Sequence, residues 1–281
     1  MKILELYSFL RLTKASVYNI IIFNRDFITE EIMPRFFIRQ NQIEDNKIKI
    51  IGEDARHISR SLRMAAGEHI TVCDMQSNEY DCVLREFGES EVVAEILDMR
   101  ESENEPPCYI KLYQALPKGD KLDTVIQKAV ECGVGEIIPF ESERCVVRMK
   151  PEAEEKKTQR RNRIAAEAAK QCGRSAIPAV SATVGFNDML SGAARSEVCL
   201  FCYEGDGTKP LGVILKEVCS RGELPKSISV VIGSEGGFSL GEAARCRDAG
   251  MIMTGLGKRI LRTETASGFV LSCICCFSEL L

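Results

Sequence analysis

Between Arg259 and Gly268 the chain reads RILRTETASG, placing two guanidinium groups, a carboxylate and two threonine hydroxyls just ahead of an apolar run. Arg259 and Arg262 carry a permanent charge and can hold an anion. Glu264 can pair with them or take up a proton. Thr263 or Thr265 suits the N-cap of the helix that the apolar run predicts, but capping alone leaves both arginines without a task. Just upstream, Gly255 and Gly257 free the backbone, and Ile260 and Leu261 offer apolar cover. The stretch IGSEGGFS (232–239) has a related build, with Gly233, Gly236 and Gly237 following a hydrophobic run that ends at Ile232. Such a loop lets a ligand approach the main chain closely, and a helix starting near Leu240 would add free N–H groups. The spacing is neither G-x-G-x-x-G nor the Walker A pattern. Glu235 would repel a phosphate, so a cationic, amide-bearing or ribose-bearing ligand fits this loop better. A third strand end, CYEG, would bring Tyr203 and Glu204 to the same crevice.

Basic residues carry a second kind of chemistry. LPKGDKLD (Leu116–Asp123) follows Gln114 at another strand end, where Lys118 and Lys121 can touch phosphates. Between Glu143 and Arg174 ten lysines and arginines face five glutamates, in a chain whose formal net charge is −4. Arg144 and Arg148 precede a charged helix that carries Arg160 and Arg163 and is followed by Arg174. A charge run is usually a solvated face, yet arginine at this density also suits a polyanion. Folded RNA fits such a face, because it is read through shape and backbone and needs no aromatic stripe.

Two sets of elements have to position these groups. The 281 residues, 45% of them hydrophobic, suffice for one large core or two modest ones. From Met33 the runs MPRFFIRQ, KIKIIG, HITVCDM, EYDCVLREF and EVVAEILDM are short, β-rich and separated mostly by turn residues. They predict a small β domain over 33–105, a closed or half-closed barrel. Glu53–Met64 interrupts it with helical spacing that puts Ala55, Ile58, Leu62 and Met64 on one side. RESENEPP (100–107) reads as a linker.

From 106 to 281, strands in YIKLYQAL, EIIPFES, SEVCLFCYEG and SISVVIGSEGGF alternate with helical patterns over 121–134, 151–172, 210–219, 240–250 and 265–281. That alternation predicts an α/β domain with a mainly parallel sheet covered on both faces, and ordinary connection rules favour an open doubly wound sheet. The thirteen cysteines are expected as reduced thiols, because many sit inside apolar patterns. With only His57 and His69 beside them, no metal site is expected. No apolar run is long enough to span a membrane. Residues 1–32 form an N-terminal extension in which VYNIIIF (17–23) fits an added helix or strand, or poorly ordered chain.

In order along the chain, MPRFF, GEDARHISRSLRM, QALPKGDKLDTVIQKAVECGV, SERCV, RIAAEAAKQCGR, IGSEGGFS and LGKRILRTETA closely resemble the bacterial 16S ribosomal RNA uridine-N3 methyltransferases. These belong to the SPOUT superfamily of knotted α/β methyltransferases. The resemblance runs from Met33 to Leu281. It implies a PUA-like RNA-binding β-barrel, a trefoil-knotted methyltransferase domain, a homodimer, a cytoplasmic location and S-adenosyl-L-methionine as methyl donor. By position it implies a cofactor pocket built from Leu200, Tyr203 and Glu204, from Ile232, Gly233, Glu235, Gly236 and Gly237, and from Leu256, Gly257, Ile260 and Leu261. The helix from Thr265 would stand behind them.

The substrate this resemblance implies is N3 of a uridine in the 16S RNA of the small ribosomal subunit. N3 carries a weakly acidic proton. Arg262, helped by Arg259, would stabilise the anionic base, and Glu235 or Glu264 with a raised pKa would accept the proton. The RNA would lie against Arg35 of the barrel and against Lys118, Arg144, Arg148, Arg160, Arg163 and Arg174. Ser234 and Lys258 stand where the family commonly has proline, and Arg56 stands where a second histidine often precedes His57.

Overall fold

In the computed structural model, which describes residues 33–220 and 223–280, the chain forms two sheets, each with its own apolar core. The VYNIIIF run lies outside the described residues. The first sheet contains β1 (Arg35–Phe37), β2 (Ile43–Glu44), β3 (Lys47–Ile51), β4 (His69–Cys73), β5 (Asn78–Phe87) and β6 (Glu91–Glu101). Their order is β1-β4-β5-β6-β3-β2. Alternation is plain in β3, where Ile48 and Ile50 are buried and Lys47, Lys49 and Ile51 are exposed. β1 and β2 occupy opposite edges and do not pair, so the sheet is a half-barrel, not a closed barrel. The helix α1 (Gly52–Arg56) runs on into a π-helical turn over His57–Leu62. That widened turn breaks the 3.6-residue spacing. Ala55 and Ile58 reach the core, while Leu62 faces solvent.

The second sheet is wholly parallel. Its strands are β7 (Tyr109–Ala115), β8 (Glu136–Phe140), β9 (Ala179–Val180), β10 (Val198–Cys202), β11 (Lys209–Pro210), β12 (Ser227–Ile232) and β13 (Ile252–Gly255). They lie in the order β11-β13-β10-β12-β7-β8-β9. β10 is buried along its whole length, and β12 at all but its first residue, which is why they read as unbroken apolar runs. The helices of this half are α2 (Lys121–Glu131), α3 (Pro151–Cys172), α4 (Phe186–Ala193), α5 (Leu211–Cys219), α6 (Leu240–Asp248) and α7 (Thr263–Glu279). α2 buries Leu122, Val125, Ile126, Ala129 and Val130, the face its spacing predicts. α3 begins at Pro151 and stops at Gly173, which takes the left-handed conformation at φ 77°.

Residues 100–107 are not a free linker. β6 continues through Glu101. Pro106 packs so tightly on Gly133 that a Cβ there would lie 2.5 Å from its ring. Glu105 takes three hydrogen bonds from the Arg174 guanidinium at 2.6–3.0 Å and further ones from the N–H groups of Ser175 and Ala176. Beside this seam, Lys170 pairs with Asp54 at 2.9 Å and lies 5.7 Å from the Phe36 ring centre. All thirteen cysteines are free thiols. Cys199/Cys202 and Cys273/Cys276 have Cys-x-x-Cys spacing, but among the described residues no three potential ligands gather as a metal site. No described helix is long and apolar enough to cross a membrane.

Candidate active site

Because every strand of the second sheet points the same way, the carboxyl ends of β10, β12 and β13 open on one edge. A cavity of about 460 Å³ lies there, walled by residues from 202–204, 232–238 and 255–263, with Thr208, Lys121 and Ala266. The size suits a small-molecule ligand. The chain turns at 234–237, where the Gly237 N–H donates to the Ser234 carbonyl at 2.9 Å and Gly237 takes φ 62°. Gly257 takes φ 109°, and a Cβ there would point into open space. Phe201 and Phe238, with ring centres 4.4 Å apart, pack at the base of the strand ends.

A buried polar network fixes the start of α7. Thr263 is the first helical residue and Arg262 the N-cap, so the threonine does not cap. Its Oγ1 donates to the Gly233 carbonyl at 2.6 Å and accepts from Gln114 Nε2 at 2.9 Å. Ser267 donates to Gln114 Oε1 at 2.6 Å, and Gln114 is fully buried. The first turn of α7 is thereby pinned to the ends of β7 and β12. The N-terminus of α6, expected to offer free N–H groups, closes on itself. Ser239 and Glu242 form a capping box, and Glu242 Oε1 also accepts the Glu143 N–H at 2.7 Å.

Charge at the cavity is unevenly committed. Lys258, Arg259 and Arg262 are exposed on its rim and make no ion pair or side-chain hydrogen bond among the described residues. Glu235 Oε1 accepts from Lys121 Nζ at 2.7 Å and from the Lys118 N–H at 3.1 Å. Burial pushes the Glu235 carboxyl up, but Lys121 and the backbone donors outweigh it and hold the group below its ordinary range. The raised pKa expected for a proton acceptor is therefore absent at Glu235 in this arrangement. Glu264 stands off the cavity wall, its Oε2 3.7 Å from Lys121 Nζ.

Tyr203, Glu204, Ile232, Gly233, Glu235, Gly237, Leu256, Gly257, Ile260 and Leu261 all line the cavity, as do Arg259 and Arg262. Three of the residues assigned to the cofactor do not. Leu200 is fully buried inside β10. Gly236 backs onto Arg144, where a Cβ would sit 3.0 Å from the arginine Cβ. Thr265 is exposed outside the cavity wall. Cys202, Thr208, Phe238 and Ala266 also line it, and nothing in their residue types marks them in the sequence. Thr208 could be found only by knowing that the two-residue β11 returns to this edge.

The basic residues divide in the same way. Lys118 and Arg144 are exposed near the mouth, Arg144 donating to the Gly236 carbonyl at 3.1 Å. Arg148 is exposed but donates to the carbonyls of Ser142 and Glu143 at 3.0 and 2.9 Å. Arg160 pairs through both terminal nitrogens with Asp123, and Arg163 is exposed without such a partner among the described residues. Arg174 is 5% exposed and spent on Glu105. Arg35 is held by the buried Glu79 at 2.6 Å. Both are neutralised inside the protein, which removes them from the candidate RNA face.

A family profile described as an RNA methyltransferase domain matches residues 104–275, and one described as an RNA methyltransferase PUA domain matches residues 50–97. The half-barrel joined to a parallel sheet with a cavity at its carboxyl edge is thus the architecture of a PUA-bearing RNA methyltransferase. Ribosomal RNA small subunit methyltransferase E of Bacillus subtilis (strain 168) is 35% identical over 254 residues, covering 89% of this chain and 98% of that protein. The protein of the same name from Mesomycoplasma hyopneumoniae (strain 232) is 32% identical over 210 residues, covering 73% and 88%. A crystal structure of the Neisseria gonorrhoeae protein of that name, bound to S-adenosyl methionine, matches with a TM-score of 0.74 at 30% identity, over 86% of this chain and 97% of that one. The chain belongs to the ribosomal RNA small subunit methyltransferase E family.

Proposed function

We propose that the protein is an S-adenosyl-L-methionine-dependent methyltransferase that modifies N3 of a specific uridine in the 16S ribosomal RNA of the small subunit. The cavity at the carboxyl edge of the parallel sheet carries this reading. Gly237 and Gly257 adopt conformations that let a ligand lie against the main chain. Tyr203, Leu256 and Leu261 offer apolar surface to an adenine, and the Glu204 carboxylate can take ribose hydroxyls. These residues would hold the cofactor, which when bound supplies a methyl group on a positively charged sulfur. Arg262 at the rim has a guanidinium free to stabilise negative charge on the uracil oxygens as N3 loses its proton, and Arg259 adds a second positive charge. Glu235, on the cavity wall, is the carboxylate placed to take that proton, whereas Glu264 stands behind Lys121. Gathering these groups around one cavity supplies further acceleration through orientation.

Lys118, Arg144, Arg148 and Arg163 form the RNA face in this reading, and Arg160 joins it when a phosphate displaces Asp123. The uracil has to leave its stack to reach the cavity. We also propose that the methyltransferase domain is trefoil-knotted and acts as a cytoplasmic homodimer. In support of the knot, the chain leaves β10, crosses to the outer side of β13 and pairs there as β11. A Cβ at Gly255 would lie 2.9 Å from Thr208 Oγ1, so the crossing segment touches the end of β13. In support of the dimer, Ile260 and Leu240 are 92% and 79% exposed, apolar surface that a second copy would cover.

The reading is tested by incubating unmodified small-subunit particles, and separately naked 16S RNA, with enzyme and cofactor, then digesting the RNA and identifying the product by mass spectrometry. A methyl group on uracil N3 is expected, and one on a ribose hydroxyl or a guanine would overturn the proposal.

A further inference from the structure

The carboxylate best placed to act as base is already engaged. Glu235 Oε1 receives both the Lys121 ammonium and the Lys118 N–H, and an oxygen held by two donors is a poor proton acceptor. Across from it, Glu264 Oε2 is buried and has no hydrogen-bond partner among the described residues. A buried carboxylate oxygen without a hydrogen bond is costly, and its presence calls for an explanation. Lys121 Nζ lies 3.7 Å from it, and a movement of about 1 Å would complete a hydrogen bond. The lysine has the means to move: an ammonium with rotatable donors on a flexible stem, 35% exposed. The other charges facing this cluster are Arg262, whose field acts on Lys121, and Arg144, which lies over Gly236. Lys118 contributes its backbone N–H.

We propose that Lys121 is a positioning residue with two seats, capping Glu235 in the resting site and moving onto Glu264 when the RNA base enters, so that Glu235 is released to take the N3 proton. This rests on the uracil-N3 reading above. In that step the N3–H bond breaks and the proton passes to Glu235 Oε1. The electron pair left on N3 forms the bond to the transferred methyl group, whose former bonding pair stays on the donor sulfur. The proton then leaves to solvent and Lys121 returns. The orphaned oxygen of Glu264 is the second seat, held ready on the first turn of α7.

Variants at Glu264, Lys121 and Glu235 test this. Glu264→Gln removes the charge of the second seat, so Lys121 stays on Glu235, and kcat is expected to fall about 10- to 100-fold. Lys121→Met in that background uncaps Glu235 and should recover most of the loss. In Lys121→Met alone, the acid limb of the pH–kcat/KM profile, which reports the free enzyme, should move to higher pH, because Glu235 loses the cation that keeps it ionised. A second readout needs no turnover: carbon-13 NMR titration of the Glu235 carboxyl in cofactor-free protein. Its midpoint should rise in Lys121→Met and hold in Glu264→Gln. Losses that simply add in the double variant, or a Glu235 midpoint indifferent to Lys121, would overturn the two-seat proposal. Full activity in Glu235→Gln would instead remove Glu235 as the base, and methylation at another atom would remove the proposed function itself.

Discussion

Arg262 and Gly257 show what single residues can be asked to do at this site. Arg262 ends on the cavity rim with its guanidinium unspent. Arg262→Ala is expected to lower kcat by about 10²- to 10³-fold, as loss of a stabilising donor does, while calorimetric titration finds cofactor affinity within a few-fold of wild type. Near-normal turnover would take the arginine out of the chemistry. Gly257 sits at φ 109° with nothing within 4 Å of a would-be Cβ, so Gly257→Ala meets strain without a clash. Denaturant unfolding should show a loss of about 1–2 kcal/mol. Both residues were legible because glycines beside a hydrophobic strand end, followed by arginines, mark a ligand edge whatever the surrounding fold. Residues whose role depends on a distant partner were not. Arg174 reads as surface charge until Glu105, 69 positions earlier, is seen against it. Thr263 reads as a cap until Gly233 and Gln114 are found at its hydroxyl.

At the scale of elements, α2 and α3 announced themselves through periodicity and through Pro151, Gly133 and Gly173 at their limits. The π-helical turn after α1 left no such mark, and β2, β9 and β11 are two residues each, too short for any period. α3 also hides an ionic element within its charged sequence. Glu154 and Arg161 are both buried and pair at 2.9 Å, while Thr183 gives Glu154 two further hydrogen bonds at 2.6 and 2.8 Å. Burial pushes the Glu154 carboxyl up, but Thr183 and Arg161 together bring it below its ordinary value. A carboxyl lowered in the folded state adds stability that is complete above its unfolded pKa and disappears as pH falls through the folded one. Glu154→Gln leaves Arg161 buried without its anion, so a loss of about 3 kcal/mol is expected near neutral pH. The acid limb of stability against pH should flatten as well. An unchanged limb would mean that the pair does not couple folding to protons.

Across the whole molecule, the seam between half-barrel and parallel sheet is ionic where the sequence suggested a loose tether. The stretch 100–107 lacks large apolar side chains, which is why it reads as a linker, but Glu105 uses backbone and guanidinium donors in their place. Glu105→Ala should cost about 3–5 kcal/mol, since it strands a buried arginine, and should speed proteolysis near residue 105. Cleavage at the wild-type rate would show that the seam is held elsewhere. On the proposed RNA face, replacing Arg163 and Arg144 together should lower the slope of log affinity against log salt by roughly 0.7–0.9 for each phosphate that is no longer neutralised. An unchanged slope would exclude both from the interface. α7 brings Thr263 and Ala266 to the cavity, yet in chain order it follows every strand of both sheets. A nascent polypeptide halted before residue 263 would display the full set of strands and still lack the part of the cavity wall that Thr263 and Ala266 supply. In the proposed reading, uptake of the methyl donor therefore reports that translation has passed α7.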